Sequence, residues 1–154
     1  MPELIDPAVT HMADVALRLA GAAVLGGVMG LEREWLQKPA GLRTHMLVAL
    51  GSAMFVLAPR EVGMDGADLS RVMQGVATGV GFIGAGTILK VASARRIEGL
   101  TTAASLWLAA AVGLAVGAGL WWLPFVSAVL ALVILVSASV GRGNAAGADG
   151  GISS

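Results

Sequence analysis

The chain has 154 residues, of which 56% are hydrophobic and 13% are charged, and its mean hydropathy is +0.82. Soluble domains carry about 25% charged residues, so this composition predicts a membrane protein. The formal net charge is +0, which gives no overall field for binding nucleic acid, and the absence of cysteine excludes disulfides, thiol catalysis and cysteine-ligated zinc. Two histidines are too few for a histidine-rich metal site.

Five apolar runs follow the acidic N-terminal segment MPELIDPAVTHMAD. A secretory signal peptide begins with a positively charged region, so the first run is predicted to be a retained helix. A helix that spans a bilayer needs about 20 mainly apolar residues, and backbone polar groups in lipid need internal partners, so all five runs are predicted to be helices. The predicted spans are residues 15–31, 42–58, 72–89, 100–120 and 122–140.

Lysine and arginine residues are concentrated in alternate loops. Two lie between the second and third spans, none precedes the first span, and seven follow the first, third and fifth spans. Because cytoplasmic loops carry this excess, the N-terminus is predicted to face outward and the C-terminus to face the cytoplasm. The seven are Arg33, Lys38, Arg43, Lys90, Arg95, Arg96 and Arg142.

Glycines recur in the predicted spans as GxxxG pairs, which let helix backbones approach closely in lipid and predict a homodimer here. The stretch GVATGVGFIGAG at residues 75–86 leaves two interpretations open. It could pack tightly, or it could unwind locally and line a polar cavity. The candidate packing or pore-lining residues are Gly26, Gly30, Gly75, Gly79, Gly81, Gly84, Gly86, Gly113 and Gly117.

An internal repeat relates residues 13–58 to residues 71–116 at an offset of 58 without a gap. Gly26 falls on Gly84 and Gly41 on Gly99, so GLRT lies on GLTT. The predicted fold is an all-α membrane protein of two tandem helical hairpins, related by an axis along the membrane normal, plus a fifth helix. The polar loops of both hairpins are predicted to converge on one side of the membrane.

The predicted domain organisation has three parts. Residues 1–14 form an outer N-terminal segment, and residues 15–140 form the five-helix membrane domain. Residues 141–154 are glycine-rich and polar without periodicity, so they are predicted to be a disordered cytoplasmic tail that is too short to form a domain.

A group of polar residues, here called the polar knot, separates the first two spans and recurs at the start of the fourth. Burying a charge in lipid costs at least about 2.5 to 3.5 kcal/mol, so these side chains are predicted to lie at the interface or in the bundle interior. Three interpretations stay open: an ion network that anchors the hairpin, a cation site at Glu32 or Glu34, and a docking surface for a partner. The members are Glu32, Arg33, Glu34, Arg43, Thr44, His45, Thr101 and Thr102.

Three further residues have alternative interpretations. Asp14 and Arg18 are four residues apart, which favours an intrahelical ion pair, although an arginine in a membrane span is also a functional candidate. His45 is interpreted as a neutral interfacial histidine or as a pH-sensitive group.

Four ordered motifs resemble the MgtC/SapB family of bacterial inner-membrane proteins, and the resemblance covers residues 15–140. The motifs are GLERE (30–34), AGLRTHMLVALGSAMF (40–55), GVGFIGAGTILK (79–90) and GLTTAASLWLAAAVGLAVGAG (99–119). The matching family positions are Gly30, Glu32, Arg33, Gly41, Leu42, Arg43, Thr44, Gly81, Gly84, Gly86, Gly99, Leu100, Thr102 and Trp107.

The resemblance implies five spans and a role in growth at low magnesium and in the survival of pathogens in macrophages. It also implies action on the F-type ATP synthase, and transport of magnesium has been proposed for the family. Thr101 occupies a position that is asparagine in some members and functionally sensitive there. Many members continue into a cytoplasmic domain, so this chain is expected to be a short form that lacks it.

Two functions of different kinds are therefore predicted. The first is a regulator of another membrane complex, either an ATP synthase or an ion transporter; the alternative is a transporter or channel for Mg²⁺ that uses Glu32, Glu34 and the glycine-rich third span. No catalytic set or phosphate loop is present, so we expect no enzyme activity and no cofactor, with Mg²⁺ as a candidate ligand or substrate. The expected partners are the lipid bilayer, a second copy and a membrane complex.

Overall fold

The computed structural model of the chain describes residues 6–64, 66–91 and 96–148. This part of the chain folds into five helices and one antiparallel pair of short strands, in which Lys90 lies opposite Ile97. In chain order the elements are α1 (Pro7–Trp35), α2 (Leu42–Glu61), α3 (Gly66–Ala85), β1 (Leu89–Val91), β2 (Arg96–Glu98), α4 (Leu100–Gly117) and α5 (Trp122–Ala148).

Three of the helices, α1, α2 and α4, are long and apolar enough to cross a membrane, and α5 contains a shorter apolar stretch, Trp122–Ser137. The 29 residues of α1 rise about 43 Å, which exceeds the roughly 30 Å of a bilayer core. The helix α3 is as long as α2 but carries the polar residues Asp68, Arg71 and Gln74 in its first turns. The prediction of an all-α membrane fold with five helices is confirmed.

The boundary predicted for the third span was wrong. The helix α3 ends at Ala85, and the amides of Thr87 and Ile88 bond to the carbonyls of Gly84 and Ala85 in a turn. Leu89, predicted to be the last residue of that span, instead begins β1. Its apolar side chain fits a strand as well as a helix, so hydropathy alone did not reveal the change.

The first helix begins before the predicted span, and the predicted disorder of residues 141–148 was wrong. The helix α1 begins at Pro7, where the side chain of Asp6 accepts a hydrogen bond from Ala8 N at 2.9 Å, so residues 7–14 are helical. The helix α5 continues to Ala148, so residues 141–148 are helical rather than disordered. Those eight residues contain three alanines and no proline, and the helix continues through them despite three glycines, each of which costs about 1 kcal/mol relative to alanine. Residues 1–5 and 149–154 lie outside the described residues.

The bundle is built around α1, α2 and α4, which pack against one another. The helix α5 lies across α1 and α4, whereas α3 packs mainly on α4 and touches α2 only slightly. The two core clusters consist mostly of small side chains, which keeps the helix axes close. They comprise Met29, Ala109, Val112, Ala128 and Ala131, and Ala22, Ala53 and Val116.

Glycines set two of the helix crossings. A Cβ atom on Gly26 would lie 2.6 Å from the carbonyl oxygen of His45 in α2, and one on Gly117 would lie 2.7 Å from the carbonyl oxygen of Ala53. These distances are shorter than side-chain carbons tolerate, so α1 and α4 each approach the α2 backbone where a side chain is absent. The close packing predicted for these two GxxxG pairs is confirmed.

The internal repeat is visible in the structure. The helices α2 and α4 begin at Leu42 and Leu100, 58 residues apart. Gly26 lies against His45 in the first hairpin, and Gly84 lies against Ala103 in the second, so both partners are shifted by the same 58 residues. The prediction of two tandem hairpins plus a fifth helix is therefore confirmed.

Candidate functional site at the polar-loop end

The loops of both hairpins meet at one end of the bundle, here called the polar-loop end. A cavity of about 290 Å³ lies between them. One wall comes from the end of α1 and the following loop, and the other comes from the turn after α3 and the start of α4. The predicted convergence of the two polar loops is confirmed for the described residues. The polar lining residues are Arg33, Lys38, Thr87, Glu98, Thr101 and Thr102.

Glu32 and Arg33 form a buried ion pair at this end of α1, with 6% and 4% of their surfaces exposed. Arg33 Nη2 lies 3.0 Å from Glu32 Oε1, and Arg33 Nε donates to Glu32 Oε2. Both carboxylate oxygens are thus engaged by one guanidinium, an arrangement that neutralises the two charges locally. Removing one partner of a buried pair leaves the other charge uncompensated, at a cost of about 3 to 5 kcal/mol.

Glu34 is exposed and has a different role. Its Oε2 accepts a hydrogen bond from Leu42 N at 3.0 Å, so the carboxylate caps the first turn of α2. Gly41 makes room for this contact, because a Cβ atom at that position would collide with Glu34 Oε2. In the part of the chain that the structure describes, no three His, Asp or Glu side chains gather as metal ligands would. Glu32 and Glu34, the candidate cation ligands, each have a partner within the fold: Arg33 for Glu32 and the backbone amide of Leu42 for Glu34.

His45 is fully buried within the bundle, near the start of α2. Its Nδ1 lies 2.9 Å from the carbonyl oxygen of Gly41, and its Nε2 lies 3.0 Å from Ser105 Oγ. Ser105 Oγ in turn lies 2.8 Å from the carbonyl oxygen of Thr102. A serine hydroxyl has one hydrogen, so it donates either to His45 Nε2 or to Thr102, and donation to Thr102 requires a proton on Nε2. This chain of hydrogen bonds joins α2 to α4.

The polar knot is not a single cluster. Thr101 is exposed and Thr102 is buried, and both line the cavity at the polar-loop end together with Arg33. Arg43 and Thr44 instead line a separate groove between α2 and α3. Arg43 is exposed, and no acidic side chain pairs with it among the ion pairs of the described residues.

The groove between α2 and α3 has a volume of about 870 Å³ and almost entirely apolar walls. Gly75, Gly79 and Gly51 line it, and a Cβ atom on any of the three would meet no atom within 4 Å. Gly81 is equally open but lies outside the groove lining. The third GxxxG pair is therefore unpacked within this chain. Because α3 is continuous to Ala85, the interpretation of an unwound helix over residues 75–85 was wrong.

The remaining glycines of this stretch have structural contacts. A Cβ atom on Gly84 would lie 3.3 Å from Ala103 Cβ, a close helix contact, and Gly86 lies in the turn after α3. Gly99 has φ +92°, a left-handed conformation that favours glycine, and its missing side chain leaves space for the carbonyl of Thr87.

Arg18 acts at the opposite end of the bundle. Its Nε lies 2.8 Å from Asp14 Oδ2, which confirms the predicted intrahelical ion pair. Its Nη1 also donates to the carbonyl oxygen of Gly117 at 3.4 Å, and Arg60 Nη1 donates to the carbonyl oxygen of Ala118 at 3.0 Å. Two arginines thus bond to the free carbonyls at the C-terminal end of α4, where cations are favoured.

Sequence reasoning missed the roles of Ser105 and Arg60. Ser105 follows Thr102 by three residues, which places both on one face of α4, so helical spacing was an available signal. Arg60 lies in the last turn of α2. Because α2 and α4 correspond in the repeat, their C-terminal ends were expected on the same side of the membrane, close enough for an arginine to reach.

Comparisons with known proteins agree with the motif resemblance. The family model described as the MgtC family matches residues 19–141. Protein SrpB of Synechococcus elongatus is 46% identical over 132 residues, covering 79% of this chain and 72% of SrpB. The protein named "Putative magnesium transporter YhiD" of Escherichia coli (strain K12) is 42% identical over 130 residues, covering 80% of this chain and 60% of YhiD.

A third relative, Protein MgtC of Brucella abortus, is 47% identical over 109 residues, which covers 71% of this chain and 44% of that protein. The chain thus aligns with less than two thirds of the length of YhiD and with less than half of the length of MgtC. No solved structure gives a significant match.

Proposed function

The chain belongs to the MgtC family, and on that premise we propose that it supports adaptation to low magnesium by regulating another complex of the bacterial inner membrane. The complex we propose is an ATP synthase or an ion transporter. Relatives named MgtC and magnesium transporter support the connection to magnesium. We further propose that the chain is not an enzyme and has no resident cofactor.

The observation that favours regulation over transport is that the acidic side chains of the polar knot bind groups within the fold itself. Glu32 gives both oxygens to Arg33, and Glu34 caps α2. Between α2 and α4, Gly113 and Gly117 bring the two helix backbones into contact, so the centre of the bundle is closed by packed main chain. A carboxylate that stabilises its own fold is a poor ligand for a passing cation, because binding the cation would first break that contact.

We propose an orientation with the N-terminus outside and the C-terminus in the cytoplasm. The distribution of lysine and arginine supports it, because seven of these residues lie on the side of the polar-loop end and the C-terminus. In this orientation, the cavity lined by Arg33, Thr101 and Thr102 faces the cytoplasm. A regulator would there meet the cytoplasmic parts of a membrane complex.

The second candidate function is that of a divalent-cation transporter or channel for Mg²⁺. The printed name of YhiD favours it, at 42% identity over 130 residues. Such a pathway would need the ion pair of Glu32 to open, or a second chain to complete it. Mg²⁺ is bound by one or two carboxylates with several waters retained, so a hydrated ion would also need a wide polar route.

The experiment that tests regulation is complementation of a bacterial strain that lacks its own MgtC-family protein. The chain carries a photo-crosslinking amino acid in place of Trp35, the exposed last residue of α1 at the polar-loop end, and is expressed during growth at low magnesium. We expect restored growth and a crosslink to a subunit of an ATP synthase or an ion transporter, whose activity in inverted membrane vesicles changes when the chain is present. Restored growth with unchanged activity of the crosslinked complex would contradict the proposal.

A further inference from the structure

We propose that the groove between α2 and α3 is the docking site for a single transmembrane helix of another membrane protein, with an acidic group at the helix end nearest Arg43. This inference rests on the proposed regulatory function, since it names the surface on which a membrane partner binds. The groove is lined by two helices that contact each other less than the helices of the central bundle do, and its walls are apolar apart from Arg43, Thr44 and Ser52.

The repeat indicates what fills such a groove. The offset of 58 relates α1 to α3 and α4 to α2. The helix α5 packs on the surface between α1 and α4, here called the filled seat. The position 58 residues away in the repeat is here called the image of a residue or surface, so the image of the filled seat is the groove between α3 and α2, here called the open seat. Ala109 and Leu25 pack in the cluster that holds Ala128 of α5. Their images at the same offset, Gly51 and Ile83, both line the groove. One seat holds a transmembrane helix of this chain, and the other is open.

The open seat is shaped for close approach of a helix. In the filled seat, a Cβ atom on Gly21 would lie 2.7 Å from the ring of Trp121, just before α5. Its image Gly79 meets nothing within 4 Å, and neither do Gly75 and Gly51. Glycines on both walls let an incoming helix pack against the two backbones, which is how helices associate in lipid.

The charge at the polar-loop end defines the chemistry of the occupant further. Arg43 is the image of Thr101, so α2 has a positive charge at the position where α4 has a hydroxyl. The helix α5 follows a turn at the far end of α4 and runs back toward the polar-loop end. An occupant seated in the same direction presents its C-terminal end to Arg43. A carboxylate there, together with the negative end of the helix dipole, complements the arginine.

A second copy of the chain fits this seat less well. The seat of α5 and the groove are related by the pseudo-twofold axis, so they lie on opposite sides of the bundle. A neighbouring copy could offer the outer face of α5, which exposes Phe125, Leu130 and Ile134. Such a contact joins different surfaces of the two copies, so it continues head to tail into an open array unless a ring closes. A separate helix fills the groove at one helix per chain.

The test uses disulfide crosslinking in liposomes, because the chain contains no cysteine. The probe is a synthetic helix with the sequence of residues 121–140, one added cysteine facing the groove wall, and a C-terminal glutamate. Gly79→Cys lies in the groove, and Gly81→Cys is the matched control, since its Cβ position is equally open but outside the lining. We expect a crosslink to Gly79→Cys that saturates at one probe per chain and little crosslink to Gly81→Cys.

A charge exchange tests the role of Arg43 separately. The glutamate-ended probe should bind more tightly than a lysine-ended probe by roughly fivefold, the ratio expected for one interfacial charge. Arg43→Glu should reverse this preference, whereas the control Arg71→Glu, in the first turns at the other end of α3, should leave it unchanged. An unchanged preference in Arg43→Glu would refute the charge assignment.

Two further outcomes would overturn the docking proposal. Equal crosslinking at positions 79 and 81 would mean that the probe samples the surface as a lipid does. A chain-to-chain crosslink through Gly79→Cys without probe would assign the groove to a second copy. The complementation assay does not involve the probe, so restored growth without probe binding would reject the groove and keep the function. Probe binding without restored growth would keep the groove as a helix-docking site and reject the proposed function.

Discussion

Gly26→Ala tests how closely α1 and α2 approach each other. A Cβ atom at this position would lie 2.6 Å from the carbonyl oxygen of His45 and 2.7 Å from Ala49 Cβ. Neither neighbour can rotate away, since one is main chain and the other is already the smallest side chain with a Cβ atom. The helices must therefore separate by about 0.8 Å to reach ordinary contact at 3.4 Å.

The expected cost follows from two opposing effects. Overpacking of this kind costs about 1 to 3 kcal/mol, and replacing glycine by alanine in a helix returns up to about 1 kcal/mol. We expect a net loss of up to about 2 kcal/mol in the free energy of unfolding. Gly84→Ala, at the corresponding position of the second hairpin, meets Ala103 Cβ at 3.3 Å and should be close to neutral. Gly79→Ala, in open space, should not destabilise the chain.

The assay is reversible unfolding in mixed micelles as the fraction of a denaturing detergent is raised. Unfolding is monitored by the fluorescence of the four tryptophans. Gly26→Ala should be the least stable of the three variants. Gly84→Ala should be more stable than Gly26→Ala, and Gly79→Ala should be at least as stable as Gly84→Ala. Equal stabilities for Gly26→Ala and Gly79→Ala would refute the reasoning, because the structure then overstates the difference between a packed and an open glycine.

Three other predictions concern the polar-loop end and use the same unfolding assay. Glu34→Ala should cost about 1 kcal/mol through loss of the α2 cap, and no loss would mean that the cap contributes nothing. Ser105→Ala leaves His45 Nε2 buried without its partner and should cost about 1 to 3 kcal/mol, and unchanged stability would mean that this hydrogen bond does not stabilise the fold. Glu32→Gln should cost about 3 to 5 kcal/mol, whereas the double variant Glu32→Gln/Arg33→Met removes both charges and should recover most of that loss. A double variant as unstable as the single one would contradict a simple buried pair.

The double variant also separates structure from function. If it folds and still supports growth at low magnesium, the ion pair anchors the hairpin only. If it folds and growth support is lost, the charges act on the partner or the ion. This complementation assay thereby separates the anchoring interpretation of the polar knot from the other two, a cation site and a docking surface.

Much of the fold was predictable because it depends on local properties of the chain. Span length and hydropathy predicted five helices, and the offset of 58 predicted two hairpins whose polar loops converge. The spacing of Asp14 and Arg18 predicted their ion pair. The change to a strand at Leu89 and the extension of α5 to Ala148 were not predicted, because both segments are compatible with more than one local structure.

The division of the glycines and of the polar knot depends on tertiary contacts, which composition does not contain. A GxxxG pair shows that close approach is sterically allowed, but not which helix makes it. Gly26 and Gly117 are used inside the chain, whereas Gly79 faces an open groove. His45 is buried because Ser105 lies opposite it on α4, a pairing that is distant in sequence. The homodimer, the membrane orientation and the role of Mg²⁺ stay predictions.

The most direct test of regulation over transport is Mg²⁺ flux into proteoliposomes of the purified full chain, shown by its tryptophan fluorescence to be folded and inserted. We predict no flux above that of empty liposomes under an imposed Mg²⁺ gradient. Flux that rises with the amount of protein and is abolished by the double variant Glu32→Gln/Arg33→Met would contradict the account. It would establish the chain as a Mg²⁺ transporter that passes the ion by way of Glu32.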